Sequence, residues 1–258
     1  MAESPVLVHI DGPRATVTMN RPEKRNALSL DQMRALIAAL QQASNTPGVL
    51  GIVLAANGPV FSAGHDFADM AGRDEQALRH LFGVCSELMT LVQQLAQPVI
   101  ARVHALATAA GCQLVAACDM AIAADTASFA LPGGKGGLFC TTPLVAVARC
   151  IGRKRALELS MTGDPIDAAT AADWGLINRA VPAESLDAAV ADLLRRSTRG
   201  SSYAKAIGKA TYYTQIDLDQ PAAYEFATGV MAANAAGHDG QEGIVSFLEK
   251  RPAHFSGS

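Results

Sequence analysis

Hydrophobic and polar positions along this chain switch between a period of two and a period near 3.6, and the switches outline its elements. Residues 6–20, VLVHIDGPRATVTMN, hold two β-type runs around Asp11-Gly12-Pro13 and predict an opening hairpin. Ser29 followed by Gln32 makes a capping-box pattern, and Met33, Leu36, Ile37 and Leu40 then recur at helical spacing, which predicts a helix to Asn45. The runs VLGIVLAA, PVIARV and MAIAAD are almost continuously apolar, as strands buried on both faces require. Between them, LRHLFGVCSELMTLVQQL reads as a long helix that Pro98 terminates. LVAVARCIGRKRALELSMTG reads as helical to Gly163, DAATAADWG as a short helix and LINRAV as a last strand. From ESLDAAVADLLRRS through AYEFATGVMAANA to IVSFLEKR the spacing is helical throughout. Strands thus alternate with helices up to Val181 and helices follow, which predicts an α/β parallel-sheet core with a helical C-terminal region.

The stretch His104–Asp119, HALATAAGCQLVAACD, joins an apolar strand to a helix whose first turn has almost no side chains. The leading amides of such a helix lack intrahelical acceptors and carry the positive end of its dipole, so they suit a developing oxyanion. A tight turn in a core packed with Ala and Gly explains the same residues equally well. TASFALPGGKGGLFCTTP is too long for a simple connection and is a second candidate site segment.

Composition narrows the classes. At 258 residues the chain can form one large α/β domain or a main domain with a helical appendage. No apolar run is long enough to span a bilayer, and a net charge of -3 gives no general attraction to nucleic acid or anionic lipid. Neither is expected as a partner. MAESPVLVHIDGP has no basic or apolar leader pattern, and Cys85, Cys112, Cys118, Cys140 and Cys150 lie in apolar surroundings without C-x-x-C spacing. Those features predict a cytoplasmic protein with reduced, buried thiols. The six histidines lack zinc-ligand spacing, so no metal is expected; PGGKGG lacks the Ser/Thr of a phosphate-binding loop, and no G-x-S-x-G is present.

FSAGHDFADM together with HALATAAGCQLVAACDMAIAAD resembles the two signature segments of the crotonase, or enoyl-CoA hydratase/isomerase, superfamily. NRPEKRNALS, PGGKGGLFCTTP, ADWGLINRAVP and GIVSFLEKR match the same family in order, so the resemblance covers essentially the whole chain. TAAGCQL with GLFCTTP is most similar to the branch of enoyl-CoA hydratase domain-containing protein 3. The resemblance implies a crotonase-like ββα spiral core over residues 1–195, a helical trimerisation region over 196–258, and a homotrimer or dimer of trimers. It also implies an acyl-CoA thioester substrate in fatty acid metabolism, with coenzyme A entering as part of that substrate and no separate cofactor.

By motif position, the resemblance maps the two oxyanion-binding backbone N–H groups onto His65 and Ala110. It maps coenzyme A recognition onto Lys24, Arg25, Ala63, Asp66, Phe67, Ala68, Phe247 and Lys250, the last two on a helix that relatives often donate from a neighbouring subunit. Cys140 and Thr141 fall in the loop where some relatives place acid/base groups. The two family glutamates fall on Gln113 and Gly133, and neither residue can exchange a proton with water or substrate. The implied function is therefore an acyl-CoA thioester enzyme acting through a stabilised enolate, nominally 2-enoyl-CoA hydration; the alternative is an inactive acyl-CoA-binding protein.

Each of these side chains also has a plainer reading. The His65 ring can cap the core, Lys24, Arg25 and Lys250 can be solvated charges, and Asp66 and Asp69 can begin a helix. Cys140 can be an inert buried thiol and Glu87 a solvated helix position, while Gln113 retains the capacity to orient water by hydrogen bonds. Tyr224, Phe226, Val230 and Met231 supply either a subunit surface or core packing.

Overall fold

A computed structural model describes residues 4–258; the expectation about targeting rests partly on Met1 to Glu3, outside the described residues. The opening hairpin forms as read, with β1 (Val6–Asp11) antiparallel to β2 (Arg14–Met19) and Gly12 taking the positive φ of the turn. Helix α1 (Leu30–Asn45) starts at Ser29, whose hydroxyl accepts from the Gln32 backbone N–H. The capping box is only half made, because the Gln32 side chain instead donates to the Pro5 carbonyl at 3.1 Å.

β3 (Gly51–Ala56), β4 (Val99–Val103), β6 (Met120–Ala124) and β9 (Arg179–Val181) continue the sheet in parallel, in the order β1-β2-β3-β4-β6-β9. Their continuous apolar character has a direct cause. Ile52 and Leu54 face one core while Val53 faces another, and Ala121 with Ala123 against Ile122 with Ala124 repeats the pattern on β6. The smaller core is closed by α7 (Leu186–Ser197), through Leu186, Val190, Leu193 and Leu194. The expected division at residue 195 falls inside that helix. The larger core is covered by α1, by α2 (Glu75–Gln94) and by α3 (Ala110–Ala117).

Three short strands escaped the sequence pattern: β5 (Ala107–Thr108), β7 (Ser128–Ala130) and β8 (Ile166–Asp167) form a second small sheet. The helical run ending at Gly163 is two helices, α4 (Thr141–Ile151) and α5 (Arg153–Thr162), because Gly152 adopts φ +77° and breaks the path. The short helix α6 (Ala168–Trp174) ends on Gly175 as read.

The last three helices are α8 (Ser202–Gln215), α9 (Gln220–Ala236) and α10 (His238–Glu249); α8 and α9 contain no buried residue. One polar cluster ties α8 to the core. The Lys209 ammonium donates to the Val92 and Gln97 carbonyls, each at 2.9 Å, and to Asp119 at 2.7 Å. The same carboxylate accepts from the Val99 amide at 2.7 Å and the Tyr213 hydroxyl at 2.9 Å, so both half-buried charges are hydrogen-bonded.

Candidate active site

Two segments distant in sequence are laced together beside the sheet. The Phe61 amide donates to the Leu106 carbonyl at 2.9 Å and the Thr108 amide to Ser62 at 3.0 Å, while Ala63 donates to the Arg25 carbonyl at 3.0 Å and Leu28 to Gly64 at 2.7 Å. Buried Asn26 holds the loop from below, donating to the carbonyls of Asn57 and Val60 at 2.8 and 3.0 Å. The Ser62 hydroxyl donates to the Asn26 carbonyl at 2.9 Å.

Two glycines allow the segments to meet. A Cβ at Gly64, which has φ +86°, would lie 2.9 Å from the Ala109 Cβ and 3.3 Å from the Ala110 nitrogen. A Cβ at Gly111 would lie 2.6 Å from the Ser62 carbonyl oxygen. At the entry to α3, Ala109 is held at φ 50°, ψ -119°, a conformation that side chains rarely adopt and that stores about 1–3 kcal/mol. The result is a pair of backbone N–H groups, those of His65 and Ala110, with no acceptor among the hydrogen bonds of the described residues.

His65 lines a cavity of about 450 Å³. Ala63, His65, Phe67, Gly133, Cys140 and Thr141 are on its wall, and Ala110 follows directly after the wall residue Ala109. Asp66 is used locally: its carboxylate accepts from the Ala68 amide at 3.0 Å and caps a turn of 3-10 helix, as its plainer reading held. Asp69 instead accepts from the Leu30 amide at 2.7 Å and so caps α1. Lys24 and Arg25 are exposed at the loop edge, and Arg25 joins the site through its carbonyl bond to Ala63.

The His65 ring is tied down. Its Nδ1 donates to the Leu28 carbonyl at 3.2 Å, its face meets Phe82 edge-on with centroids 5.3 Å apart, and its Nε2 is buried without a partner. Burial lowers its pKa below 6.5, against the opposing effects of the Leu28 carbonyl and the Asp69 charge, so the imidazole is neutral at pH 7.

Several expectations change. Gln113 is buried and is not on the cavity wall; its carboxamide oxygen accepts a weak 3.9 Å contact from the Cys85 thiol of α2, so it is not placed to orient water in the cavity. Gly133 is more than a missing carboxylate. A Cβ there would lie 2.0 Å from the Leu138 carbonyl oxygen and 2.8 Å from the Cys140 sulfur, and the loop is closed by Leu138 N–H to Gly133 at 2.9 Å. Cys140 accepts from the Gly133 amide at 3.3 Å while burial raises its pKa, which makes it a neutral thiol. Of the five cysteines, Cys150 is exposed rather than buried; it lies in the last turn of α4, where its thiol donates to the Ala116 carbonyl at 3.6 Å. Phe247 lies on α10 and Lys250 caps its C-terminus, both away from the cavity wall, and Phe247 is 82% exposed. Glu87 is exposed on α2.

Met70, Phe82, Thr108, Leu138 and Thr142 are wall residues that sequence reasoning missed. In Phe82 and Met70 the signal is indistinguishable from core periodicity. Thr142 stood beside a residue already singled out, in a loop whose closure the sequence does not reveal.

The family model described as enoyl-CoA hydratase/isomerase matches residues 13–258. The chain is 44% identical over 244 residues to the mouse protein named enoyl-CoA hydratase domain-containing protein 3, mitochondrial, covering 93% of this chain and 80% of the mouse one. The crystal structure of the human protein of that name superposes with a TM-score of 0.94 at 39% identity, covering 98% of this chain and all (100%) of the other. An enoyl-CoA hydratase structure from Mycobacterium smegmatis also gives 0.94, at 41% identity over 98% of this chain and 99% of the other. The crotonase-type α/β fold is therefore as read. The cytoplasmic expectation is corrected: the mouse, rat, zebrafish, human and frog relatives are all named mitochondrial. Reduced cysteines report redox state, which these compartments share, so thiol chemistry could not separate them.

Proposed function

Since the chain belongs to the enoyl-CoA hydratase/isomerase family, we propose that its cavity takes acyl-CoA thioesters, whose carbonyl oxygen accepts from the His65 and Ala110 backbone N–H groups. The observation that carries this reading is the pair of acceptor-free amides on interlocked segments at an apolar cavity. Preorganised donors there stabilise enolate charge without reorganising, and losing one such donor typically costs about 10²–10³-fold in rate. An amide comes from any residue, so His65 serves through its backbone.

Hydration of a 2-enoyl thioester through two glutamates is not the reaction we assign, because Gln113 and Gly133 stand at both positions. Lys24 and Arg25, exposed and beside the loop, suit the phosphates of coenzyme A. Copies of the chain cover the C-terminal helices, where Tyr224, Met231 and Phe247 are 67%, 68% and 82% exposed; a neighbouring α10 would then bring Phe247 and Lys250 to the ligand.

Calorimetric titration with butyryl-CoA, and a hydration assay with crotonyl-CoA, test the assignment. Saturable binding that Gly111→Ala weakens by tenfold or more, roughly one lost charge-assisted contact, is the expected result. No binding by either thioester would refute it, and binding without turnover of any thioester favours an acyl-CoA-binding protein.

A further inference from the structure

The second face of the main sheet carries polar groups that its packing does not call for. On β2 the side chains of Arg14, Thr16 and Thr18 point away from the larger core, which takes Ala15, Val17 and Met19. Thr16 pairs with Val53 and Thr18 with Ala55 on β3, so these side chains continue the face that α7 covers further along the sheet. Arg102 pairs with Ile122 on that same face and is the only charged residue in β3, β4 and β6.

Beside α7 these residues line a cleft of about 500 Å³ that shares no wall residue with the cavity at His65. Donors in it outnumber acceptors. Arg102 gives its Nε to Asp187 and Arg14 gives one Nη to Asp11 at 3.0 Å, and neither guanidinium makes a further hydrogen bond with the described residues. The Arg14 Nε is buried without an acceptor, and the Thr16 and Thr18 hydroxyls bond to none of the described residues. A buried N–H left unmet costs desolvation free energy, which an acceptor reaching that guanidinium recovers.

Charge and surface together select the ligand. Two arginines against the one carboxylate of Asp187 leave a single positive charge on the wall. The hydrogen bond from Arg102, and then the charges of Arg102 and Arg14, hold the Asp187 carboxyl below the usual carboxylate range against the opposing effect of burial, so it stays ionised. Val53, Ala55 and Val190 give the same cleft an apolar floor, which an inorganic ion would leave bare. A guanidinium fork matches the planar geometry of a carboxylate.

We propose that this cleft binds a short-chain monocarboxylate, its oxygens between Arg14 and Arg102 and its hydrocarbon chain on Val53, Ala55 and Val190. Thr16 and Thr18 add hydroxyl donors to the same group. The cleft lies across the sheet from the core that takes Ala110, so its occupancy does not depend on what the His65 and Ala110 amides hold.

The test titrates the full chain with butyrate by calorimetry at neutral pH, beside its uncharged analogue butyramide and inorganic phosphate. The expected result is saturable butyrate binding, about tenfold or more tighter than either comparison ligand, as a charge-assisted contact on an apolar floor requires. Arg102→Gln and Arg14→Gln should each weaken it about tenfold or more, and excess butyryl-CoA should leave it unchanged. Where an arginine variant does not fold, the Thr16→Val/Thr18→Val double variant, which keeps branched side chains on β2, carries the test through a loss of about threefold. Four results would each overturn the proposal: no butyrate binding, butyramide bound as tightly, wild-type affinity in the folded variants, or displacement of butyrate by butyryl-CoA. Phosphate bound more tightly than butyrate would overturn the carboxylate assignment.

Discussion

The two sides of the cavity are built on opposite terms. On one side, loop 61–66 and the start of α3 present backbone amides, and the side chains that matter are absent ones: Gly64 and Gly111 let the segments touch. On the other, segment 132–143 is where side chains would set the chemistry, and the part of it on the cavity wall, with Gly133, Cys140 and two threonines, carries no charged group. A backbone-built function tolerates substitution so long as the path of the chain survives, whereas acid/base function vanishes with two residues. On the proposed reading, the amides that would hold an enolate are present while the cavity wall carries no carboxylate to make one by proton transfer.

The contrast breaks most visibly under Gly133→Glu combined with Gln113→Glu. A side chain at 133 meets the Leu138 carbonyl at 2.0 Å, so the pair should lose several degrees of melting temperature and gain no crotonyl-CoA hydration; overpacking of this kind costs about 1–3 kcal/mol. A hydration rate well above wild type would mean that the loop yields and that the closed wall is not a barrier.

Gly111→Ala attacks the other side. Its Cβ would press on the Ser62 carbonyl at 2.6 Å, and we expect both a loss of about 1–3 kcal/mol in urea unfolding and weaker thioester binding. Unchanged affinity would detach the amides from binding.

His65→Gln sharpens the division between ring and amide. The neutral ring has a folded pKa below its unfolded value of 6.5, so it contributes stability that is complete above pH 6.5 and is lost as pH falls through the folded pKa. Melting temperature followed from pH 8 to pH 5 should fall for wild type and flatten in His65→Gln, while butyryl-CoA affinity at pH 7.5 changes by less than about threefold, the ring making no contact counted in binding. A large loss of affinity would assign the ring a direct role.

The smallest effect belongs to Ala109→Gly. Glycine adopts φ 50°, ψ -119° freely, and relief of strain against the added chain entropy should leave a net gain of about 1 kcal/mol. A drop in stability would show that the Ala109 methyl against Gly64 is worth more than the strain.

The sequence spoke most clearly where a local rule and the tertiary fold agree. Ser29 marked the start of α1, Gly163 and Gly175 closed their helices, and the apolar runs marked strands buried on both faces. Strands β5, β7 and β8 have two or three residues each and exist only because partners pair with them, so no periodicity could reveal them. At the site, the bare helix start and FSAGHD were legible, but two side-chain directions were not. Gln113 turns towards Cys85, and Gly133 has its Cβ space filled by a carbonyl from five residues on. Both outcomes depend on how neighbouring segments close, which is decided by packing rather than by spacing.

The central claim is that the His65 and Ala110 amides polarise a bound thioester carbonyl. Infrared difference spectra of butyryl-CoA labelled with carbon-13 at the carbonyl, taken free and bound, test it directly. The account predicts that the labelled band moves to lower frequency on binding and returns towards its free position in Gly111→Ala. A bound carbonyl that keeps its free-solution frequency would contradict it.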